Sequence, residues 1–192
     1  RKKRAYFAGA GYGTDTGIRG TLGMDWHWLN QYGHYLKTMI RGSMTNNEFV
    51  TTYFIPGRHP ATDYYTVEAT AGNMDTYSGK SKIHKFSLGY NNQLTEYWKQ
   101  RVPLNALDED YDLEAYAPVQ ASLIYPSIQW IFIDKDKEKN PDAGISLNIS
   151  LSGTIDKLST TSGFAQVKVD SRFLYTVKPI STRFVFHGEW GR

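Results

Sequence analysis

Five histidines, His27, His34, His59, His84 and His187, are the side chains best suited to hold a metal or move a proton near neutral pH. A metal site on a single element needs them at short regular spacing, as in H-x-x-x-H or HExxH, and none of the five forms such a pair. The acidic run Asp108-Glu109-Asp110-Tyr111-Asp112 has the charge of a calcium loop but lacks its central glycine and terminal glutamate, so it reads as a polar lumen or loop segment. Ser127 and His187 could be two parts of a hydrolytic triad, yet no spacing singles them out or supplies the third group. The glycine-rich stretch from Gly9 to Gly17 resembles a phosphate cradle in composition alone. No helical pattern follows it, so the dipole such a cradle depends on is missing. The reading is a protein that is not an enzyme, with no catalytic residues, no cofactor and no metal.

The elements that position these residues are strands. The chain has 192 residues, enough for one domain with a sizeable core. Period-2 alternation recurs along it, and helical periodicity is nearly absent. From Ile18 every second residue reads Ile18, Gly20, Leu22, Met24, Trp26, Trp28, while the other set reads Gly17, Arg19, Thr21, Gly23, Asp25, His27. The stretch from Gly144 to Asp156 sets Ile145, Leu147, Ile149, Leu151 and Ile155 against serines, Asn148 and Asp156. Eleven strands are predicted, at about 5–13, 17–29, 33–45, 47–56, 63–75, 79–91, 96–113, 121–134, 144–156, 163–177 and 181–191. Pro126 predicts a bulge or local break in the eighth. The connections fall into two alternating groups, as they do when an antiparallel meander returns to the same two ends.

Two architectures give this one-dimensional pattern. A soluble sandwich buries its apolar face inside; a transmembrane barrel turns it toward lipid. Several of these strands match the nine to eleven residues that cross a bilayer at a tilt. Their apolar faces end in aromatic residues, as an interfacial belt does. The belt is assigned to Trp26, Trp28, Tyr32, Tyr64, Trp98 and Trp130. The fold class read from these signs is all-β, an antiparallel up-and-down transmembrane β-barrel, of which residues 1–192 carry about eleven strands. A barrel averages its two faces, which is how a mean hydropathy of −0.51 coexists with a lipid-facing surface. The net charge of +3 gives no reason to expect nucleic acid, and the absence of cysteine removes disulfides and thiolate sites. The basic opening Arg1-Lys2-Lys3-Arg4 reads as a solvated segment, and the chain as a piece of a longer precursor.

The first strand differs from the rest. Tyr6, Ala8, Ala10 and Tyr12 alternate with Phe7, Gly9, Gly11 and Gly13. Glycine weakens a strand through chain entropy and missing side-chain contacts, so this strand would form the weakest seam of a closed barrel. A seam that opens offers unpaired N–H and C=O groups to an incoming strand.

The Gly11-Tyr12-Gly13-Thr14-Asp15-Thr16-Gly17 hairpin, the Trp-rich strand running into Asn30-Gln31-Tyr32-Gly33-His34 and the Ile55-Pro56-Gly57 turn resemble the start of the barrel domain of TamA-type proteins. These belong to the bacterial surface antigen superfamily of outer-membrane insertases, which includes BamA. The stretch from Ile124 to Gly153 is similar to that family's strand, polar turn and glycine-led strand. The resemblance implies a barrel of about sixteen strands, preceded by POTRA domains and completed by C-terminal strands that lie outside residues 1–192. It implies insertion of outer-membrane proteins such as autotransporters through a lateral gate, with Tyr6 to Gly13 as the gate strand. The implied partners are the lipid bilayer, nascent outer-membrane proteins and an inner-membrane-anchored periplasmic partner of the TamB type. The implied location is the outer membrane of a Gram-negative bacterium. Alternatives are a two-partner secretion or passive pore-type barrel and a soluble β-sandwich binding domain.

Overall fold

A computed structural model describes residues 3–14, 17–76, 79–112, 119–136, 141–177 and 182–192. Among these residues there are eleven strands: β1 Arg4–Gly13, β2 Gly17–Trp26, β3 Tyr35–Ser43, β4 Asn46–Pro56, β5 Asp63–Thr76, β6 Gly79–Gln93, β7 Trp98–Asp112, β8 Val119–Lys135, β9 Ala143–Thr154, β10 Phe164–Val177 and β11 Thr182–Gly191. All lie in one sheet in sequence order, and every neighbouring pair is antiparallel. The fold is an up-and-down barrel meander, as the alternation predicts. Parts of the connections at 15–16, 77–78, 113–118, 137–140 and 178–181, with Arg1 and Lys2 of the basic opening, lie outside the described residues.

Directly paired residues share a face, so the register carries a face assignment across the whole sheet. One row runs Leu22, Ile40, Phe49, Ala71, His84, Asp108, Ser122. Another, on the same face, runs Asp63, Asn92, Gln100, Trp130, Ile149, Val169, Trp190. The first row leaves an apolar band and ends among charges; the second starts among polar groups and enters the band. The band therefore crosses the hydrogen-bond rows obliquely, which is what tilted strands produce. The row through Trp26 reaches Pro126 on β8, whereas the aromatic end of that strand is at Trp130 and Phe132. The drift is about one residue per strand. At about 3.3 Å along the strand and 4.8 Å between strands, that is a tilt of roughly 35°, the value that membrane barrels adopt.

Burial identifies the inner face. No aliphatic or aromatic side chain among the described residues is buried; apart from Gly89 and Pro103 the buried residues are polar, Thr66, Ser87, Asn91 and Asn105, each at most 8% exposed. All four sit on the face opposite the apolar band. Among the described residues no second sheet covers them, so the sheet must curl toward that side. A sandwich would have the reverse, an apolar interior and a polar exterior. Small polar residues tolerate the crowded concave side because they bond one another: Asn91 Nδ2 donates to Thr66 Oγ1 at 3.2 Å, and Asn105 Nδ2 to Ser127 Oγ at 3.1 Å. Leu22, Leu88, Leu104, Ile124, Phe173 and Phe186 stand exposed on the convex face. A continuous apolar surface of this kind fits contact with lipid.

At two strand ends the structure departs from the sequence reading. β2 ends at Trp26, and Trp28 lies beyond it with φ of 60°, so the strand face does not extend to Trp28. The turn that follows is fixed by Asn30, whose Oδ1 accepts from the backbone N–H of Tyr32 and His34. β9 ends at Thr154 rather than Asp156, because residues 155–163 fold back to β8: Ser159 bridges Leu123, and Thr160 N–H donates to Ser122 O at 2.9 Å. At Pro126 the expected local break is present, without a bulge. The β7–β8 register is the same on both sides of a short gap between Arg101↔Gln129 and Leu104↔Pro126, where Pro103 and Pro126 have no N–H to give.

Strands β1 to β4 have 9–11 residues, enough at this tilt for a hydrocarbon core of about 25 Å. Strands β5 to β8 have 14–17 and must rise beyond it. Their outward residues at that end are polar and paired across strands: Lys80 with Asp112, Lys82 with Asp110, His84 with Asp108. The acidic run is thus a projecting wall rather than lumen or loop, with its aspartates outside and Glu109 and Tyr111 inside. Asp75, 3.0 Å from Lys80 Nζ, holds that ammonium above the ordinary lysine range.

The face assignment makes a sharp prediction at two adjacent residues. Ile149→Arg is expected to cost about 2–4 kcal/mol of folding free energy in lipid, as midplane charges do on the outside of barrels, and Asn148→Arg much less. Denaturant titration of the two variants in vesicles checks this, and equal losses would contradict the assignment.

Candidate functional site

The first strand is held to the sheet by an unbroken ladder with β2, from Arg4↔Trp26 to Gly13↔Gly17. Among the described residues it pairs on that side only. Tyr6, Ala8, Ala10 and Tyr12 fall on the convex face; Phe7, Gly9, Gly11 and Gly13 fall on the inner face. The glycines are not equivalent. A β-carbon at Gly9 would meet nothing within 4 Å, whereas one at Gly11 would come to 3.0 Å from Arg19 Nε, because the Arg19 side chain lies across it. The Phe7 ring covers Gly23 on β2, where any β-carbon would collide with it. So β1 contributes one ring and four small residues, Ala5 and the three glycines, to the inner face, and that ring depends on a glycine across the strand pair.

Of the six residues assigned to the aromatic belt, Trp26, Trp98 and Trp130 lie on the convex face near the ends of β2, β7 and β8. Trp28 and Tyr32 lie in the turn between β2 and β3, and a β-carbon on Gly33 would sit 3.6 Å from the Trp28 ring. Tyr64 is on the inner face, paired with Pro56 and Asn91; its neighbour Tyr65 takes the convex position, with Tyr90 beside it at 5.1 Å between centroids. Reading Tyr64 into the belt is corrected by this register. It belongs to an inner aromatic row: Tyr35 stacks on Phe54 at 4.2 Å, and Phe54 meets Tyr64 at 5.8 Å. The Lys37 ammonium lies 5.6 Å from the Tyr35 ring, a cation–π distance.

The inner face also gathers charge that spacing alone conceals. Asp170, Arg172 and Lys168 on β10 meet His187 and Glu189 on β11: Lys168 Nζ is 2.5 Å from Glu189, His187 Nε2 is 2.6 Å from Asp170, and Arg172 Nε is 3.5 Å from Asp170. Asp170, His187 and Glu189 each offer a metal-ligand atom, all within 4.8 Å of one another. Lysine and arginine already neutralise both carboxylates, so the arrangement is an ion-pair network clasping β10 to β11. Only the antiparallel register brings these residues together, and a count along the chain does not reveal it. Ser127 and His187 stand on β8 and β11 with separate partners, Asn105 and Asp170.

No family model matches the chain, and no curated protein matches it. Among solved structures it is similar to BamA from Haemophilus ducreyi lacking POTRA domains 1–3, with a TM-score of 0.80 at 15% sequence identity. The fold is that of a BamA barrel. The likeness covers 100% of this chain and 41% of the BamA chain, so the eleven strands span less than half of that protein.

The Phe7–Gly23 contact is open to test. Gly23→Ala is expected to destabilise the sheet by about 1–3 kcal/mol, as overpacking does. In a Phe7→Ala background the cost should drop by at least about 1 kcal/mol, the sign of coupled residues in a double-mutant cycle. Additive effects would mean that the ring does not occupy the glycine's space.

Proposed function

We propose that these strands are part of the membrane domain of an outer-membrane protein assembly factor of the TamA type, and that β1 is one side of its lateral gate. The observation that carries this is the pairing of β1. The strand has a full ladder to β2, a second edge available for another partner, and a side-chain complement reduced to Phe7, Ala5 and three glycines on the inner face. Cross-strand side-chain pairs contribute about 0.2–1 kcal/mol each, so a seam made by this strand lacks several of them and opens at less cost than the others. The motif resemblance from Gly11 to Gly57 and the BamA-like fold support the same assignment.

On this reading residues 1–192 are one part of a barrel domain, with POTRA domains before it and closing strands after it. The protein sits in the outer membrane of a Gram-negative bacterium. Its substrates are nascent outer-membrane proteins, autotransporters among them, and a periplasmic partner of the TamB type hands them on. No catalytic group or cofactor is required. Each hydrogen bond of the open seam is exchanged for one with the incoming strand, so the substrate folds by templated pairing.

A disulfide engineered between Ala8 or Ala10 and the closing strand of the full-length protein is expected to lock the seam. Substrate insertion into vesicles should then fall at least tenfold under oxidising conditions and recover on reduction. Insertion at the unlocked rate, with the bond confirmed by mass spectrometry, would remove the gate and leave the glycines a packing role.

A further inference from the structure

On the inner face, at the end where β6 turns into β7, lies a cleft of about 270 Å³ lined by Tyr64, Asn91, Gln93, Lys99, Arg101 and Gln129 among others. This is near the lower end of the roughly 300–1,000 Å³ of ligand pockets, room for one or two residues of a chain rather than a folded unit. Its lining contains two cations and no carboxylate. Three of the amides on its walls are committed, Asn91 Nδ2 to Thr66 Oγ1, Gln129 Nε2 to Asn148 Oδ1 at 2.9 Å, and Gln93 Nε2 to Glu96 O at 3.4 Å, whereas Asn92 Oδ1 is buried with no hydrogen-bond partner among the described residues.

Arg101 is not committed in the same way. Its Nε is buried and has no hydrogen-bond partner among the described residues, and the nearest carboxylate, Glu68 Oε2, stands 3.8 Å from Nη2, beyond hydrogen-bond reach. Glu68 is itself drawn toward the Thr52 hydroxyl at 3.4 Å. The Arg101 side chain is 37% exposed and its Nη2 edge is ion-paired with Glu68, so what lacks an acceptor is the buried Nε–H; such a donor in a cleft marks where an acceptor from outside would bind. The planar guanidinium fork suits a carboxylate in two-point contact, with the Lys99 ammonium on the neighbouring register position adding charge.

We propose that this cleft binds a carboxylate carried by an extended polypeptide, either a C-terminal carboxylate or an acidic side chain, and that Arg101 is its principal contact. The proposal rests on the cleft and not on the gate. A strand-exchange factor needs to hold a passing chain as well as pair with it, and a carboxylate site inside the sheet gives it a hold that is independent of backbone pairing.

The test uses the full-length protein in phospholipid nanodiscs and three fluorescent ten-residue peptides of alternating Thr and Val. One has a free C-terminal carboxylate, one is amidated, and one is amidated with a central Glu. The free acid, the Glu peptide or both should bind at least tenfold more tightly than the plain amide by anisotropy, and which of them does so identifies the source. Arg101→Gln should remove that difference, Arg101→Lys should retain part of it, and the Arg101 Nε–H resonance should shift on binding. Equal affinity of all three peptides for the unmodified protein would overturn the proposal, as would a correctly folded Arg101→Gln variant that keeps the preference. If that variant fails to fold, the peptide comparison and the resonance shift on the unmodified protein still decide the matter.

Discussion

A backbone in hydrocarbon has no water to bond, so every N–H and C=O that enters the bilayer must find a partner in the protein. That constraint accounts for most of what the chain does. It explains why eleven strands follow one another in a single continuous ladder, each paired with its neighbours in sequence. It also explains why side chains, freed from making a core, divide by face. The buried positions hold Thr66, Ser87, Asn91 and Asn105, and the exposed ones hold leucine, isoleucine and phenylalanine. Where the ladder is interrupted by Pro103 and Pro126, the register survives because the neighbouring pairs on both sides hold it.

The same constraint gives edges their meaning. Most of the upper half of β8 runs past its pairing with β9, and the segment after β9 folds back to bond it through Ser159 and Thr160. An edge left open would invite another strand, and this one is covered. β11 is clasped to β10 by the Lys168–Glu189 and Asp170–His187 pairs. Among the described residues β1 has no ion pair or inner-face network of that kind; its contacts to β2 are Phe7 laid over Gly23, Arg19 laid over Gly11 and the Arg4 guanidinium 4.1 Å over the Trp26 ring. The sheet thus invests side-chain contacts unequally, and the least falls on the strand that the proposed function asks to exchange partners.

Much of this was legible in the residue order, for a physical reason. Strand alternation has a period of two, so Ile145 to Leu151 or Arg172 and Phe173 declare their faces without any knowledge of neighbours. The eleven strands follow from that pattern to within about three residues at their ends. What alternation cannot state is which sequence-distant residues lie side by side. The Asp170–His187–Glu189 network, the Tyr35–Phe54–Tyr64 row and the Arg101 cleft all arise from register between strands. Adjacent tyrosines show the limit most simply: Tyr64 and Tyr65 are the same residue type one position apart, and only the pairing with β4 and β6 turns one inward and the other to lipid. Trp28 shows another limit, because a turn fixed by Asn30 ended the strand before the pattern did.

The central claim is that the apolar face meets lipid and the polar face meets water. Residues 1–192 contain no cysteine, so these strands add no background to single-cysteine labelling. Spin labels at positions 147 to 151 of the full-length protein in vesicles, scanned for collision with oxygen and with a water-soluble nickel chelate, measure it directly. The account predicts high oxygen and low nickel accessibility at 147, 149 and 151, with the opposite at 148 and 150. Nickel accessibility that peaks at 147, 149 and 151, or that shows no period of two, would contradict it.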